Sequence, residues 1–137
     1  MKELYTTHVV VTGGRDGTAR SDDGKLEIAL ALPVAIGGSG KGTNPEQLFA
    51  AGFAACFTSS LAHAARGMGL TPTRIAVTGA VTLIVDDSGA FGVRPALSVT
   101  LEGLDEADAD RVTTEARRIC AYHNALTQVI EPAVTRA

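Results

Sequence analysis

An apolar stretch at residues 48–65 most strongly limits what this 137-residue chain can fold into. Its middle, residues 49–57, is apolar on every side of a helix, and a helix of that kind is buried. Polar residues interrupt the stretch between Thr58 and His63, so it lacks the ~18 uninterrupted apolar residues of a membrane span. We therefore expect a long core helix in a protein that does not enter a membrane.

Sequence signals mark both ends of this helix. Thr43 and Glu46 have the spacing of a capping box, in which the two side chains satisfy free backbone N–H groups of the first turn. Gly67 and Gly69 are typical of the residues that end a helix. The helix is therefore predicted to begin just after Thr43 and to end near Arg66.

Alternating apolar and polar residues predict strands on both sides of the helix. Three short strands precede it and two longer ones follow it, at 4–12, 18–21, 26–32, 74–85 and 91–102. A second helix is predicted from Asp105 to 118 or 120, and the remainder is ambiguous, with a short strand at 126–131 as one option. This order predicts an α+β fold, with helices packed on antiparallel sheets, in a single domain over residues 1–137.

The core of this fold can contain few large side chains. Alanine and glycine account for 22 and 15 residues, whereas only six residues are aromatic and tryptophan is absent. A core of this composition must bring its backbones close together or be shared with another chain.

Charge and composition argue against several classes of protein. The net charge of −3 and the pI near 5.5 disfavour a nucleic-acid binder, which usually carries a basic stripe. The N-terminal residues show no basic segment followed by an apolar stretch, so we expect a cytoplasmic protein. The Cys and His residues lack the spacing of metal ligands, so we predict neither a metal nor another cofactor.

The two cysteines, Cys56 and Cys120, are either inert core residues or a redox pair. A cysteine inside an apolar helix is ordinarily a small hydrophobic residue, and Cys120 precedes a more polar and more open stretch. Because burial raises the pKa of a thiol, a reactive Cys56 needs a nearby positive charge. Sequence spacing does not choose among the candidates, which are Arg15, Lys41, Arg66, Arg74, Arg94, Arg111, Arg117 and Arg118.

Three segments of the chain resemble the organic hydroperoxide resistance proteins of the OsmC/Ohr superfamily. They read GGRDG at 13–17, TNPEQLFAAGFAACF at 43–57 and CAYHNA at 120–125. Their order and spacing fit that family over nearly the whole chain. The resemblance implies an OsmC-like fold, with antiparallel sheets around a long buried central helix, in an intertwined homodimer.

The same resemblance implies a thiol peroxidase that reduces organic hydroperoxides to alcohols. Cys56 would attack the peroxide and become a sulfenic acid, and Cys120 would then close a disulfide with it. Arg15 would stabilise the Cys56 thiolate, and Glu46 would orient Arg15. Family members are recycled by dihydrolipoamide groups, so a lipoylated protein or another dithiol is the expected reductant.

Four apolar residues would suit an alkyl or fatty-acid hydroperoxide, although plain core packing explains them equally well. They are Phe49, Phe53, Phe57 and Met68. An alternative function from another class is a non-catalytic module that binds a lipid-like ligand in an apolar interface pocket. Such a module would need neither cysteine.

Spacing along the helix raises one geometric question. Glu46 and Cys56 are ten residues apart, which is about 15 Å along a straight helix. An arginine paired with Glu46 therefore reaches Cys56 only if the helix is broken, if the arginine spans much of the gap, or if a second chain contributes.

The third motif departs from the family at two positions. Ala121 stands where the family usually has proline, and His123 stands where it usually has serine. His123 is a candidate proton donor near the disulfide, although an exposed and solvated histidine is the ordinary expectation.

Overall fold

The computed structural model describes residues 1–128 and 132–136. Contacts between residues group the chain into two compact units, Met1–Leu48 and Phe49–Ala137, and the boundary falls inside the long helix. The single domain expected over residues 1–137 stays a prediction.

The first unit contains an antiparallel meander of three short strands. These strands are β1 (Val9–Thr12), β2 (Thr18–Ser21) and β3 (Glu27–Ala29), and they pair in chain order. The second strand is confirmed as predicted, whereas residues 4–8 and 30–32 form no continuous strand. Beyond β3, Leu30 makes an isolated parallel bridge to Thr43, which brings the chain to the start of the helix.

The first helix, α1, covers Pro45–Gly67 without interruption. Asn44 caps it, because its side-chain oxygen accepts a hydrogen bond from the backbone N–H of Gln47 at 2.9 Å. The predicted capping box of Thr43 and Glu46 is therefore wrong. Both side chains have other partners, since the Thr43 hydroxyl donates to the Gln47 side chain and Glu46 binds an arginine.

The second unit is built on a long hairpin and two further helices. Strands β4 (Arg74–Val85) and β5 (Phe91–Glu102) pair antiparallel along their whole length and confirm both predicted strands. Helix α2 (Glu106–Ile119) begins at the predicted cap, because the Asp105 side chain accepts the backbone N–H of Asp108.

A short helix, α3 (Ala121–Thr127), follows α2 and was not predicted. It occupies the first part of the ambiguous segment. The optional strand at 126–131 is wrong at residues 126 and 127, which are helical, and residues 129–131 lie outside the described residues.

The core of the second unit lies between one face of α1, the hairpin and α2. Its buried members come from α1, α2 and the residue that follows α2, and they are Phe53, Phe57, Leu61, Ala64, Ala65, Val112, Ala116 and Cys120. Small residues bring the elements close together. A Cβ atom at Gly79 of β4 would lie 2.8 Å from the backbone oxygen of Ala50 in α1.

The opposite face of α1 is exposed in this chain, so the expectation of burial on every side is wrong for the single chain. Ala51, Ala55, Ser59 and His63 follow one another at intervals of four residues along that face. One hairpin and one packed helix cover a single side of α1. Among the described residues, α1 is also the one helix with the length and composition to cross a membrane, and core helices of many proteins meet that criterion.

Truncating the core should destabilise the protein measurably. We expect Val112→Ala to lower the free energy of unfolding by about 2 kcal/mol, because Val112 is fully buried and the lost methyl groups leave a cavity. Val134→Ala is the matched control, since Val134 is 93% exposed and should change stability by less than about 0.5 kcal/mol. Urea denaturation measures both, and equal effects would contradict this description of the core.

Candidate functional site

The two cysteines, 64 residues apart in sequence, meet in the second unit. Cys56 lies in the middle of α1, and Cys120 lies between α2 and α3, where an extended backbone (φ −71°, ψ 121°) separates the two helices. Both are free thiols, and the Cys120 thiol approaches the Cys56 sulfur at 3.5 Å. The fold therefore brings together the pair that the sequence singled out.

The two thiols differ in burial. Contrary to the expectation from the sequence, Cys120 is the more buried of the two. Cys120 has no exposed surface, whereas Cys56 is partly exposed. Burial raises the pKa of the Cys120 thiol, the neighbouring Cys56 raises it further, and the backbone amide of His123 acts in the other direction. Cys120 is thus held as a protonated thiol at neutral pH, and Cys56 is the sulfur that a reagent reaches first.

An aromatic cluster of Phe49, Phe53, Phe57 and Tyr122 lies on the same elements as the cysteines. The rings of Phe49 and Phe53, and those of Phe53 and Phe57, pack edge to face with 6.4 Å between ring centroids. The Tyr122 ring stacks on Phe53 with 6.1 Å between ring centroids. Gly52 makes room for the tyrosine, because a Cβ atom there would lie 2.8 Å from the Tyr122 hydroxyl. Sequence reasoning did not assign Tyr122 to this cluster, although it stands two residues after Cys120 in the third motif.

Met68, the fourth predicted member of the apolar wall, lies elsewhere. It follows the last residue of α1, twelve residues after Cys56 or about 18 Å along a helix axis. There it lines a separate shallow cavity together with polar residues of α2, such as Asp110 and Arg111. The structure does not bring Met68 to the aromatic cluster.

Arg15 and Glu46, both in the first unit, form a two-pronged ion pair. Arg15 lies in the turn between β1 and β2, and its Nη1 and Nη2 atoms donate to the two Glu46 carboxylate oxygens at 2.9 and 2.6 Å. The guanidinium lowers the pKa of Glu46, and the carboxylate raises the pKa of Arg15. One chain makes this pair by itself, and α1 is unbroken, so the alternative of a broken helix is wrong.

The histidine of the third motif is not the solvated side chain that was expected. His123 is partly buried, and its Nδ1 atom is fully buried without a hydrogen-bond partner among the described residues. His123 lies in α3 and shares the lining of a cavity with Phe53 and Phe57 of α1. Within residues 1–128 and 132–136, no group of three or more His, Cys, Asp or Glu side chains could hold a metal ion.

The chain is similar to proteins of one family. The family model described as OsmC-like protein matches residues 38–134. An organic hydroperoxide resistance protein of Xanthomonas axonopodis pv. citri is 40% identical over 138 residues, which cover 99% of this chain and 96% of that protein.

Two solved structures share the fold. The crystal structure of an organic hydroperoxide resistance protein from Legionella pneumophila matches with a TM-score of 0.88 and 39% identity, over 92% of each chain. That of the organic hydroperoxide resistance protein OhrB of Bacillus subtilis matches with a TM-score of 0.82 and 38% identity, over 91% of this chain and 93% of that one. These matches confirm the expected fold class.

The ion pair of Arg15 and Glu46 should make stability depend on pH. Because the pKa of Glu46 is lower in the folded chain, its stabilising effect is present above the pKa of an unfolded glutamate and is lost as pH falls through the folded value. We expect Glu46→Gln to cost about 1 kcal/mol at pH 7, since Arg15 is 36% exposed and partly screened, and to cost little in acid.

Glu102→Gln is the matched control for this substitution. Glu102 pairs with Arg74, but the two side chains are 51% and 63% exposed, so the loss should stay below about 0.5 kcal/mol. Urea denaturation at pH 7 and pH 3 measures both variants. A Glu46→Gln penalty that is the same at the two pH values would refute the assignment.

Proposed function

This chain belongs to the OsmC-like proteins, and among them to the organic hydroperoxide resistance proteins, and we propose that it is a cysteine-based peroxidase that reduces organic hydroperoxides to alcohols. The observation that carries the proposal is the distance of 3.5 Å between the Cys56 and Cys120 sulfur atoms. A disulfide bond is about 2.05 Å long, so a movement of about 1.5 Å joins them. A purely structural role for both cysteines in the core would not require their sulfur atoms to lie so close together.

In the proposed reaction, the Cys56 thiolate attacks the terminal oxygen of the hydroperoxide and the O–O bond breaks. The sulfur is oxidised to a sulfenic acid, and the departing alkoxide takes up a proton and leaves as an alcohol. The Cys120 thiol then attacks the sulfenic sulfur, which forms the disulfide and releases water. A dithiol reductant reopens the disulfide, becomes oxidised itself and restores both cysteines.

Burial supports this division of roles between the cysteines. Cys56 is partly exposed and is the proposed attacking sulfur, whereas Cys120 is fully buried and is the proposed resolving thiol. Because Cys120 cannot meet solvent directly, it is protected from peroxide until Cys56 has reacted. The sulfenic acid then has a thiol beside it and is trapped before further oxidation.

Arg15 and Glu46 have proposed roles in activating the attacking sulfur. A thiolate and a developing alkoxide both carry negative charge, and a guanidinium stabilises both. The two-pronged pair supports a fixed orientation of Arg15, because Glu46 holds both terminal nitrogens.

The aromatic cluster supports a preference for alkyl and fatty-acid hydroperoxides over hydrogen peroxide. Phe49, Phe53 and Phe57 of α1 and Tyr122 offer apolar surface to an alkyl chain, whereas hydrogen peroxide has none to bury. Met68 is not part of this proposed wall. We propose a lipoylated protein or a similar dithiol as reductant and the cytoplasm as location, in keeping with the family resemblance and the use of free thiols.

We also propose a homodimer that covers the exposed face of α1. Only 33% of the most apolar 18-residue segment of α1 is buried within the chain. Small side chains on the open face, such as Ala51 and Ala55, permit close approach of a second helix, and β1 also exposes three valines at 9–11. A second copy of the chain would bury both surfaces.

Replacing each cysteine should produce different kinetic defects. We expect Cys56→Ser to reduce hydroperoxide turnover to the uncatalysed background, because the remaining thiol, that of Cys120, is fully buried. Cys120→Ser should consume one equivalent of hydroperoxide and then stall with a sulfenic acid on Cys56. Stopped-flow assays with an alkyl hydroperoxide and a dithiol measure both. Normal turnover by Cys56→Ser would contradict the proposed role of Cys56, and absence of turnover by the native chain would favour the non-catalytic binding module.

A charged residue on the open face of α1 should separate the proposed dimer. We expect Ala55→Arg to shift sedimentation from twice the 14.1 kDa chain mass to a single chain and to lower turnover. Ala90→Arg is the matched control, since Ala90 is exposed in the turn between β4 and β5 and should remain dimeric and active. A monomeric Ala55→Arg variant with full activity would rule out a dimeric active unit.

A further inference from the structure

Cys120 belongs to neither of the two helices beside it. Helix α2 ends at Ile119 and α3 begins at Ala121, and the backbone between them is extended, with φ −71° and ψ 121°. The direction of the Cys120 side chain therefore depends on how these helices are held relative to each other. That direction has to be accurate, because a disulfide forms only within a narrow range of Cβ and sulfur positions.

The residue after Cys120 does not fix this conformation. A proline at position 121 would restrict Cys120 to extended backbone, because the proline ring disfavours the helical region for the residue before it. Ala121 has no such ring, so contacts elsewhere have to hold Cys120 in place. Helix α3 offers few of them, since none of its seven residues, all within the described part of the chain, is buried.

Asn124 of α3 makes contacts that span this break. Its side-chain Nδ2 atom donates to the backbone oxygen of Arg118 at 3.1 Å, and its backbone N–H donates to the backbone oxygen of Cys120 at 2.9 Å. Arg118 lies in the last turn of α2, where carbonyl groups lack a partner within the helix. One residue of α3 thus binds both the end of α2 and the cysteine that follows it.

We propose that Asn124 is a positioning residue for Cys120, and that its bond to Arg118 keeps the Cys120 sulfur within reach of Cys56 while the disulfide closes. Without this bond α3 can rotate about the extended residue, and the sulfur atoms spend less time at their separation of 3.5 Å. A misplacement of about 1 Å is enough to slow a reaction between two held groups. The inference deepens the proposed peroxidase, and its use in catalysis rests on that function.

Dithiobis(nitrobenzoate), an aromatic disulfide, separates the attack by Cys56 from the attack by Cys120 without any hydroperoxide. With one equivalent per reduced chain, the Cys56 thiolate attacks the reagent, which forms a mixed disulfide and releases one coloured thionitrobenzoate. Cys120 then loses its proton and attacks the Cys56 sulfur, which closes the protein disulfide and releases a second thionitrobenzoate. Stopped-flow absorbance follows both releases.

We expect Asn124→Ala to slow the second release about fivefold, the usual effect of one hydrogen bond, and to leave the first unchanged. Alanine favours the helix, so the variant does not weaken α3 through its own propensity. Thr127→Ala is the matched control, because the Thr127 hydroxyl donates to the backbone oxygens of His123 and Asn124, both inside α3. Both of its rates should equal those of the native chain.

A second substitution tests whether the bond acts through the backbone of Cys120. Asn124→Ala combined with Ala121→Pro should recover most of the lost rate, because the proline restricts Cys120 to the extended conformation that it already has. Proline also suits the first residue of a helix, which Ala121 occupies in α3. A merely structural role of Asn124 would give no such rescue.

Four results would overturn the proposal. They are an equal second rate in the native chain and Asn124→Ala, an equal loss in Thr127→Ala, no rescue by Ala121→Pro, and a native chain that releases a single thionitrobenzoate. Failure of the proposed peroxidase is distinguishable from all of them. A native chain that releases two thionitrobenzoates but does not consume an alkyl hydroperoxide would refute the peroxidase and leave the role of Asn124 in place.

Discussion

Close packing of α1 against the β4–β5 hairpin and α2 determines the rest of the second unit. At Gly79 the hairpin presents no side chain to α1, and a Cβ atom there would lie 2.8 Å from the Ala50 oxygen. Glycine at this position is therefore a packing requirement of the fold. With α1 packed closely on the hairpin, its side chains Phe53, Phe57 and Leu61 fill the core that it shares with the hairpin and α2.

The same packing positions the sulfur pair. Cys56 faces the point where α2 ends, and the extended backbone at Cys120 directs the second sulfur back toward α1, so that the thiols meet at 3.5 Å. Burial then distinguishes the two, since it keeps Cys120 protonated and leaves Cys56 accessible. The proposed chemistry depends on this asymmetry, because a peroxidase of this kind needs one sulfur that reacts with substrate and one that reacts only with the first.

Elements with strong local signals were predictable from the sequence. The alternation in β4 and β5, the apolar run of α1 and the Asp105 cap of α2 depend on neighbours within one turn or one strand pair.

Features that depend on distant partners were not predictable from the sequence. Glu46 does not form the predicted capping box, because its carboxylate binds Arg15, which lies 31 residues away in the sequence. Burial of Cys120 depends on the core that α1 and α2 form, and the short helix α3 has too few residues for a periodic pattern. The pairing of Cys56 with Cys120 came from motif resemblance, since their number and spacing left it open.

A count of free thiols tests the central claim, that Cys56 and Cys120 of one chain act together on an organic hydroperoxide. Fully reduced protein is treated with one equivalent of an alkyl hydroperoxide, and thiols, alcohol and chain mass are then measured without reductant. We expect both thiols to disappear, one alcohol to form per chain, and the protein still to migrate as a single 14.1 kDa chain under denaturing conditions. Two thiols that remain titratable, or thiols lost only through cross-links between chains, would contradict it.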